Sequence, residues 1–305
     1  MTKFDVVGFG ALNVDMLFKV DRIAGPEEEN FIEDYTEACG GSAANAIVGL
    51  SRLGCKTGFI GKVANDREGK LQLDCFSSEG VDTNGIIRAL QGKSGSVLGF
   101  VDKKGSRALY INSGVNDTIG SEEIKLGYAS QARFLHLTSF VGEKSLRTQI
   151  ELLATLPDEV KVSFDPGAIY ARKGYSAVEP IIGKTYVLMP NSFELERLTG
   201  KSDCCKGADF MIERGVKIVA VKLGGKGCYV TDGRDGLRIE PFKVKVVDTT
   251  GAGDAFCAGF LYGLINNKSL LECGRLGNFV ASRCVLAMGA RASLPYAEDL
   301  AALLG

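Results

Sequence analysis

The stretch VVDTTGAGDAFCAGF, Val246 to Phe260, sets an apolar strand-like run against an apolar helical one, with Gly-Ala-Gly between them. Asp248, Thr249 and Thr250 are N-cap residue types, and Ala255, Phe256, Ala258, Phe260 and Leu261 recur at helical spacing. A helix is therefore expected to begin near Ala252. The first turn of a helix leaves N–H groups unpaired and carries the positive end of the peptide dipoles. Glycine there removes the Cβ that would hold a phosphate off the backbone, so Gly251, Ala252 and Gly253 form a candidate cradle for phosphoryl oxygens. A carboxylate beside such a cradle repels its anion unless it has a task. Asp254 has an obvious one, taking the proton of a hydroxyl that attacks phosphorus. A tight turn with a dipole-complementing acid is the competing reading of the same four residues.

The chain has 305 residues, enough for one large α/β domain with a small appendage. Charged residues make up 24% and the net charge is −1 with the signs interspersed, which argues against a nucleic-acid partner. No apolar run has the length of a membrane span, and the start MTKFD runs into a strand instead of a signal-peptide core. The expectation is a cytoplasmic protein with no membrane partner. Nine cysteines without a CxxC pair suggest reduced, mostly buried thiols. The single histidine, His136, lies in an apolar strand-like run. With no second histidine, Ser-His-Asp and HExxH chemistry are excluded, and a general base has to be a carboxylate or a lysine.

Strand-like runs alternate with helical ones, from FDVVGFG and SAANAIVGLSRLG to SFELERLTG and KIVAVKLGG, which predicts a mostly parallel sheet covered by helices on both faces. Two β-rich segments interrupt the alternation. One lies between the first strand and the first helix, and the other is a hairpin turning at Asp102-Lys103-Lys104-Gly105. The economical picture is a small β lid, residues 13–38 and 94–113, over a core of residues 1–12, 39–93 and 114–305. A dinucleotide fingerprint is poor: Gly8 and Gly10 follow the first strand, but Asn13 stands where the third glycine would, and no helix follows. Asn13 and Asp15, read as the end of the first strand with side chains on one face, suit sugar hydroxyls better, although solvated loop residues would look the same.

Taken together, GALNVD, GGSAAN (Gly40 to Asn45), PNSFE (Pro190 to Glu194), VKLGGKG (Val221 to Gly227) and DTTGAGDAFCAGF resemble, in order and spacing, the ribokinase-like (PfkB-type) carbohydrate kinase family. The resemblance runs from about Val6 to Pro295. It implies a three-layer α/β/α domain with a β-sheet lid, and transfer of the γ-phosphoryl of ATP to a hydroxymethyl group of a sugar or nucleoside. Asp254 would be the base, and the amides of Gly251, Ala252 and Gly253 the anion hole. Asn13, Asp15, Gly40, Gly41 and Asn45 would hold the sugar. Asn191 and Glu194 match the motif that orders water and magnesium near the triphosphate, although the same spacing also makes a helix cap. Gly224, Gly225 and Gly227 match the nucleotide loop, with Lys222 where small hydroxyl residues often stand, and Asn278 matches a position near the adenine or ribose. Asp248 and Thr250 coincide with a monovalent-cation loop, completed by carbonyls near Met288 to Ser293, which makes potassium a candidate activator beside magnesium and ATP. A plain N-cap explains the same pair.

The substrate is less defined. Ribose or a ribonucleoside is favoured, because no basic cluster for a second phosphate is evident, with Arg88, Lys93 and Arg107 as isolated candidates. A fructose-6-phosphate-type kinase is one alternative, and a silent relative that binds sugar or nucleotide without transfer is another, which an intact Asp254 argues against. The segment SFDPGAIYARKG, Ser163 to Gly174, is a candidate specificity element. Phe100 and Tyr110 on the lid hairpin either stack on a base or pack the lid. A small lid exposes an apolar face, so a homodimer through the lid is expected.

Overall fold

The computed structural model of the protein describes residues 2–103 and 106–300. Of the hairpin turn expected at 102–105, the last two residues lie outside the described ones, as does the side chain of Arg107. The chain opens with strand β1 (Phe4–Phe9), leaves for β2 (Asn13–Val20) and β3 (Ile32–Gly40), and returns as helix α1 (Ser42–Arg52). There follow β4 (Thr57–Ala64), α2 (Arg67–Ser78), β5 (Asp82–Ala89), the second excursion β6 (Gly95–Val101) and β7 (Arg107–Asn112), and the short α3 (Leu126–Ala129). Alternation then resumes through β8 (Ala132–Thr138), α4 (Glu143–Thr155), β9 (Lys161–Asp165), α5 (Gly167–Lys173), α6 (Tyr175–Ile182), β10 (Thr185–Leu188), α7 (Ser192–Thr199), α8 (Cys204–Ile212) and β11 (Ile218–Lys222). A hairpin, β12 (Cys228–Thr231) and β13 (Gly236–Ile239), precedes the closing helices α9 (Ala252–Ile265) and α10 (Leu270–Cys284).

The large sheet has nine strands in the order β13-β12-β11-β10-β9-β8-β1-β4-β5, parallel except for the β12–β13 hairpin at one edge. Apolar runs such as VVGF in β1 and IVAV in β11 are buried on both faces because helices cover both. One core packs α1, α9 and α10 under the sheet, with Phe59, Phe76 and Phe260, and the other packs α4, α6, α7 and α8 on the opposite face, with Phe164, Tyr170 and Leu195. His136 belongs to the interior, its ring Nδ1 3.0 Å from Ser163 Oγ, and burial pushes its pKa down to about 4. Helix stops at Gly54, Gly80 and Gly200 take positive φ, as their sequence context predicts.

The two excursions meet in one four-stranded sheet, β3-β2-β6-β7, because β2 pairs with β6 in parallel. Asn13 and Asp15 do not end the first strand: they begin β2, the strand that leaves the core. Phe18 stacks between Tyr35 and Phe100, and Phe100 meets Tyr110 edge-on. Strand alternation puts these rings on the face opposite Asn13 and Asp15, so they pack the lid and do not line the space above Asp15. Tyr35, Tyr110, Phe31 and Leu98 remain exposed there or beside it. Among the described residues no helix is long and apolar enough to cross a membrane.

Helices α9 and α10 pack closely because Gly259 has no side chain: a Cβ there would lie 2.4 Å from the Leu276 carbonyl oxygen. Gly259→Ala is expected to cost about 1–3 kcal/mol by overpacking. Gly127→Ala, where a Cβ would meet nothing within 4 Å, serves as the neutral control, and equal melting temperatures for the two variants would refute the tight contact.

Candidate active site

Asp254 stands on the first turn of α9, where that helix abuts α1. The N-cap is Gly251, not one of the preceding Asp or Thr residues, and the residues from 241 to 248 are irregular where a strand was expected. Gly251 adopts φ 77°, and a Cβ on it would come 2.4 Å from that of Ala290, so both backbone conformation and contact demand glycine. The Ala252 N–H donates to the Thr249 carbonyl at 3.2 Å, whereas the Gly251, Gly253 and Asp254 amides have no carbonyl partner among the described residues. Only part of the expected Gly-Ala-Gly cradle is therefore open to an anion. Asp248 is the brace for this turn: Oδ1 accepts from the Thr250 N–H and hydroxyl at 3.0 and 2.8 Å, and Oδ2 accepts from the Gly289 N–H at 2.9 Å. The carbonyls of Thr250 and Ala290 converge on the Cys284 thiol at 3.5 and 3.4 Å. The loop before α9 and the segment after α10 thus come together.

Asn45, on the first turn of α1, donates from Nδ2 to Asp254 Oδ2 at 2.8 Å. Its Oδ1 accepts from Arg291 Nε at 2.8 Å, which fixes the amide so that NH2 faces the carboxylate. Burial pushes the Asp254 pKa up to about 7, with the Asn45 hydrogen bond opposing it. Asp15 reaches about 6, again through burial, with Arg291 opposing. Gly40 leaves room for that carboxylate, since a Cβ would sit 2.2 Å from Asp15 Oδ2, and Gly41 turns the chain at φ 103° against the Ala11 carbonyl. Asn13 Oδ1 accepts from Asn116 Nδ2 at 3.0 Å, and Asn116 also pairs with both backbone groups of Leu12. Gln72 donates to the Asn13 carbonyl.

On the other side of Asp254 a cleft of about 450 Å³ is lined by Gly224, Gly225, Gly227, Phe242, Gly253 and Asn278 among others. Asn278 is buried and donates to the carbonyls of Ile239 and Glu240 at 3.1 and 3.0 Å, so its amide holds the cleft wall in place. Asn191 and Glu194 form a reciprocal capping box on α7, each side chain accepting the other's N–H at 2.8 to 2.9 Å. Burial, aided by Asp165, raises Glu194 to about 7. Lys222 ends β11 with Nζ 2.5 Å from Asp165 Oδ2 at the end of β9, and a Cβ on Gly253 would be 3.4 Å from that ammonium. Burial opposes the Lys222 charge, but the Asp165 carboxylate beside it outweighs that and keeps it protonated. Asp165 Oδ1 is buried without a partner among the described residues. Arg88 and Lys93 line a different, open cleft of about 810 Å³ with Lys62 and Glu123.

Sequence reasoning missed Arg291 and Asn116, and it placed Asp165 only inside a specificity segment. Arg291 lay in a stretch read for its carbonyls, and nothing in GARASLP points its guanidinium back to Asn45.

Residues 3–297 match the family described as pfkB family carbohydrate kinase. The chain belongs to that family. As a member of it the protein is an ATP-dependent sugar kinase, with ATP binding and a divalent metal expected in general. An uncharacterized sugar kinase of Archaeoglobus fulgidus is 46% identical over 252 residues, 83% of this chain and 100% of that one. An ATP-dependent ribose-1-phosphate kinase of Halopiger xanaduensis is 33% identical, covering 98% of this chain and 97% of its own. Among solved structures, the ribokinase of Thermotoga maritima superposes with TM-score 0.88 at 29% identity over 99% of each chain. The ribokinase of Arabidopsis thaliana, solved with ribose and ATP, gives 0.87 at 26% identity over 99% of this chain and 98% of that one.

The raised carboxylate pKa values have a definite sign. Between about pH 4 and 7 the folded chain holds protons on Asp254 and Glu194 that the unfolded chain releases, so this contribution to stability falls as pH rises through that window. Asp254→Asn removes one such buried charge. The variant is expected to melt higher than the parent at about pH 8, with the difference shrinking toward about pH 4. A lower melting temperature at the higher pH would mean that Asp254 chiefly complements the helix dipole.

Proposed function

We propose that the protein transfers the γ-phosphoryl group of ATP to the hydroxymethyl group of a free sugar or nucleoside, with ribose or a ribonucleoside preferred. The observation that carries this reading is the Asn45–Asp254 hydrogen bond at the α9 N-terminus, with Asp15 on one side and the glycine-lined cleft on the other. A hydroxyl held by Asp15, Asn13 and Asn45 gives its proton to Asp254. Its oxygen then bonds to the γ-phosphorus as the bond to the bridging oxygen breaks and ADP leaves. The Gly253 and Asp254 amides, beside the dipole of α9, receive the transferring oxygens, and Lys222 supplies a positive charge next to them. Gly251 and Ala252 shape that turn, and Gly224, Gly225, Gly227 and Asn278 bound the nucleotide.

The donor set near the phosphates, Glu194 and Asp165, is made of hard carboxylate oxygens and suits magnesium, which Glu194 would hold through water. Magnesium supplies charge neutralisation for the triphosphate. The pairing of the Asp248–Thr250 turn with the Gly289–Ala290 segment supports potassium as the ion that holds the turn in shape. The exposed lid residues Phe31, Tyr35, Leu98 and Tyr110 support a second copy of the chain as their cover, and light scattering that finds only monomer at micromolar concentration would contradict it.

A phosphosugar acceptor is a second reading, favoured by the Halopiger xanaduensis relative and by Arg88 and Lys93 in the open cleft. Turnover of ATP against ribose, ribonucleosides, ribose 1-phosphate and fructose 6-phosphate, run in potassium and in tetramethylammonium, separates the readings. Preference for a free pentose or nucleoside, with faster rates in potassium, is expected. A clear preference for either phosphosugar would overturn the proposed acceptor, and equal rates in the two cations would remove the potassium site.

A further inference from the structure

Two cysteines that phosphotransfer leaves unused meet where the lid joins the core. Cys39 is the penultimate residue of β3, just before Gly40 and Gly41, and Cys75 lies near the end of α2. Cys39 Sγ lies 3.6 Å from the carbonyl oxygen of Leu71, one helical turn before Cys75, which brings the two thiols next to each other. Arg291 donates from Nη1 to Cys75 Sγ at 3.1 Å and from Nη2 to the Gly40 carbonyl at 3.2 Å, while its Nε holds Asn45. One guanidinium therefore touches the thiol pair, the lid hinge and the residue that positions Asp254. Both cysteines are partly exposed, so a small oxidant reaches them.

The pair is electronically unequal. The hydrogen bond from Cys39 and the charge of Arg291 draw Cys75 down to about 6 against its burial, whereas Cys39, as the donor, is raised. Burial pushes Cys55, Cys228, Cys273 and Cys284 up to about 12. An attacking thiolate beside a resolving thiol is the arrangement that peroxide oxidation requires.

We infer that Cys39 and Cys75 are a reversible, peroxide-sensitive dithiol at the lid hinge. The Cys75 thiolate attacks one oxygen of hydrogen peroxide: an S–O bond forms, the O–O bond breaks, and hydroxide leaves to take a proton from solvent. The Cys39 thiol then attacks the sulfenic sulfur, forming the S–S bond while the S–O bond breaks and water departs with the Cys39 proton. The two sulfurs have lost two electrons to the peroxide, and a dithiol reductant returns them. The new bond ties β3 of the lid to α2 of the core and removes one of the partners of Arg291.

The test is peptide mapping of the full chain after brief exposure to hydrogen peroxide and alkylation of the remaining thiols. A Cys39–Cys75 cross-linked peptide that dithiothreitol abolishes is expected, with Cys75 losing its free thiol about tenfold faster than Cys273. In Cys39→Ser the reaction is expected to stop at the sulfenic acid, which dimedone captures on Cys75. Full alkylation of Cys39 and Cys75 in the treated wild-type chain would overturn the inference, as would oxidation confined to Cys204 and Cys205. This outcome is read from masses alone and does not depend on which sugar the enzyme accepts.

Discussion

The structure depends on keeping one carboxylate, Asp254, inside the protein at the start of a helix. A buried carboxylate costs several kcal/mol unless it is hydrogen-bonded or neutralised, and among the described residues this one receives one side-chain donor, Asn45. That donor can reach it only if α1 and α9 lie close together. They do so where both surfaces are small: a Cβ on Gly49 would already stand 2.9 Å from that of Ala258. The positive φ of Gly251, the Asp248 brace and the contact with Ala290 then set the direction in which the first turn of α9 points. Packing, capping and chemistry are thus settled by the same few residues.

Charge around that point is balanced across secondary-structure ends. Lys222 closes β11 and Asp165 closes β9, so the ion pair sits at the C-terminal edge of the sheet, where open α/β folds leave their crevice. The ammonium lies beside Gly253, between the acids Asp165, Glu194 and Asp254, and offsets part of their mutual repulsion. On the lid side Arg291 plays the equivalent part for Asp15 and Asp254. Each cation is held by carboxylate or amide oxygens, which keeps it aimed at the crevice instead of folding back onto the surface.

The sheet, both layers of helices and the two-excursion lid were legible because apolar periodicity and glycine stops are local signals. The short α5 and α8 and the antiparallel β12–β13 edge were not read, since four-residue strands and one- or two-turn helices carry little periodicity. Of the site, Asp254 and Asn45 announced themselves by their glycine-rich neighbours. Arg291 and the Asp165–Lys222 pair did not, because their partners are 57 to 246 residues away in sequence and are brought together only by the fold. The N-cap was misassigned for a related reason: Asp248 and Thr250 are good caps in isolation, but the segment after α10 recruits Asp248 and leaves the cap to Gly251.

The most direct measurement is the turnover rate of Asp254→Asn at saturating substrate, taken together with nucleotide affinity from calorimetry on the same preparation. If Asp254 takes the acceptor proton, the rate falls by about a hundredfold to ten-thousandfold while nucleotide binding is kept or strengthened. A rate close to that of the parent would contradict the role of Asp254 as the base, and with it the account of the site.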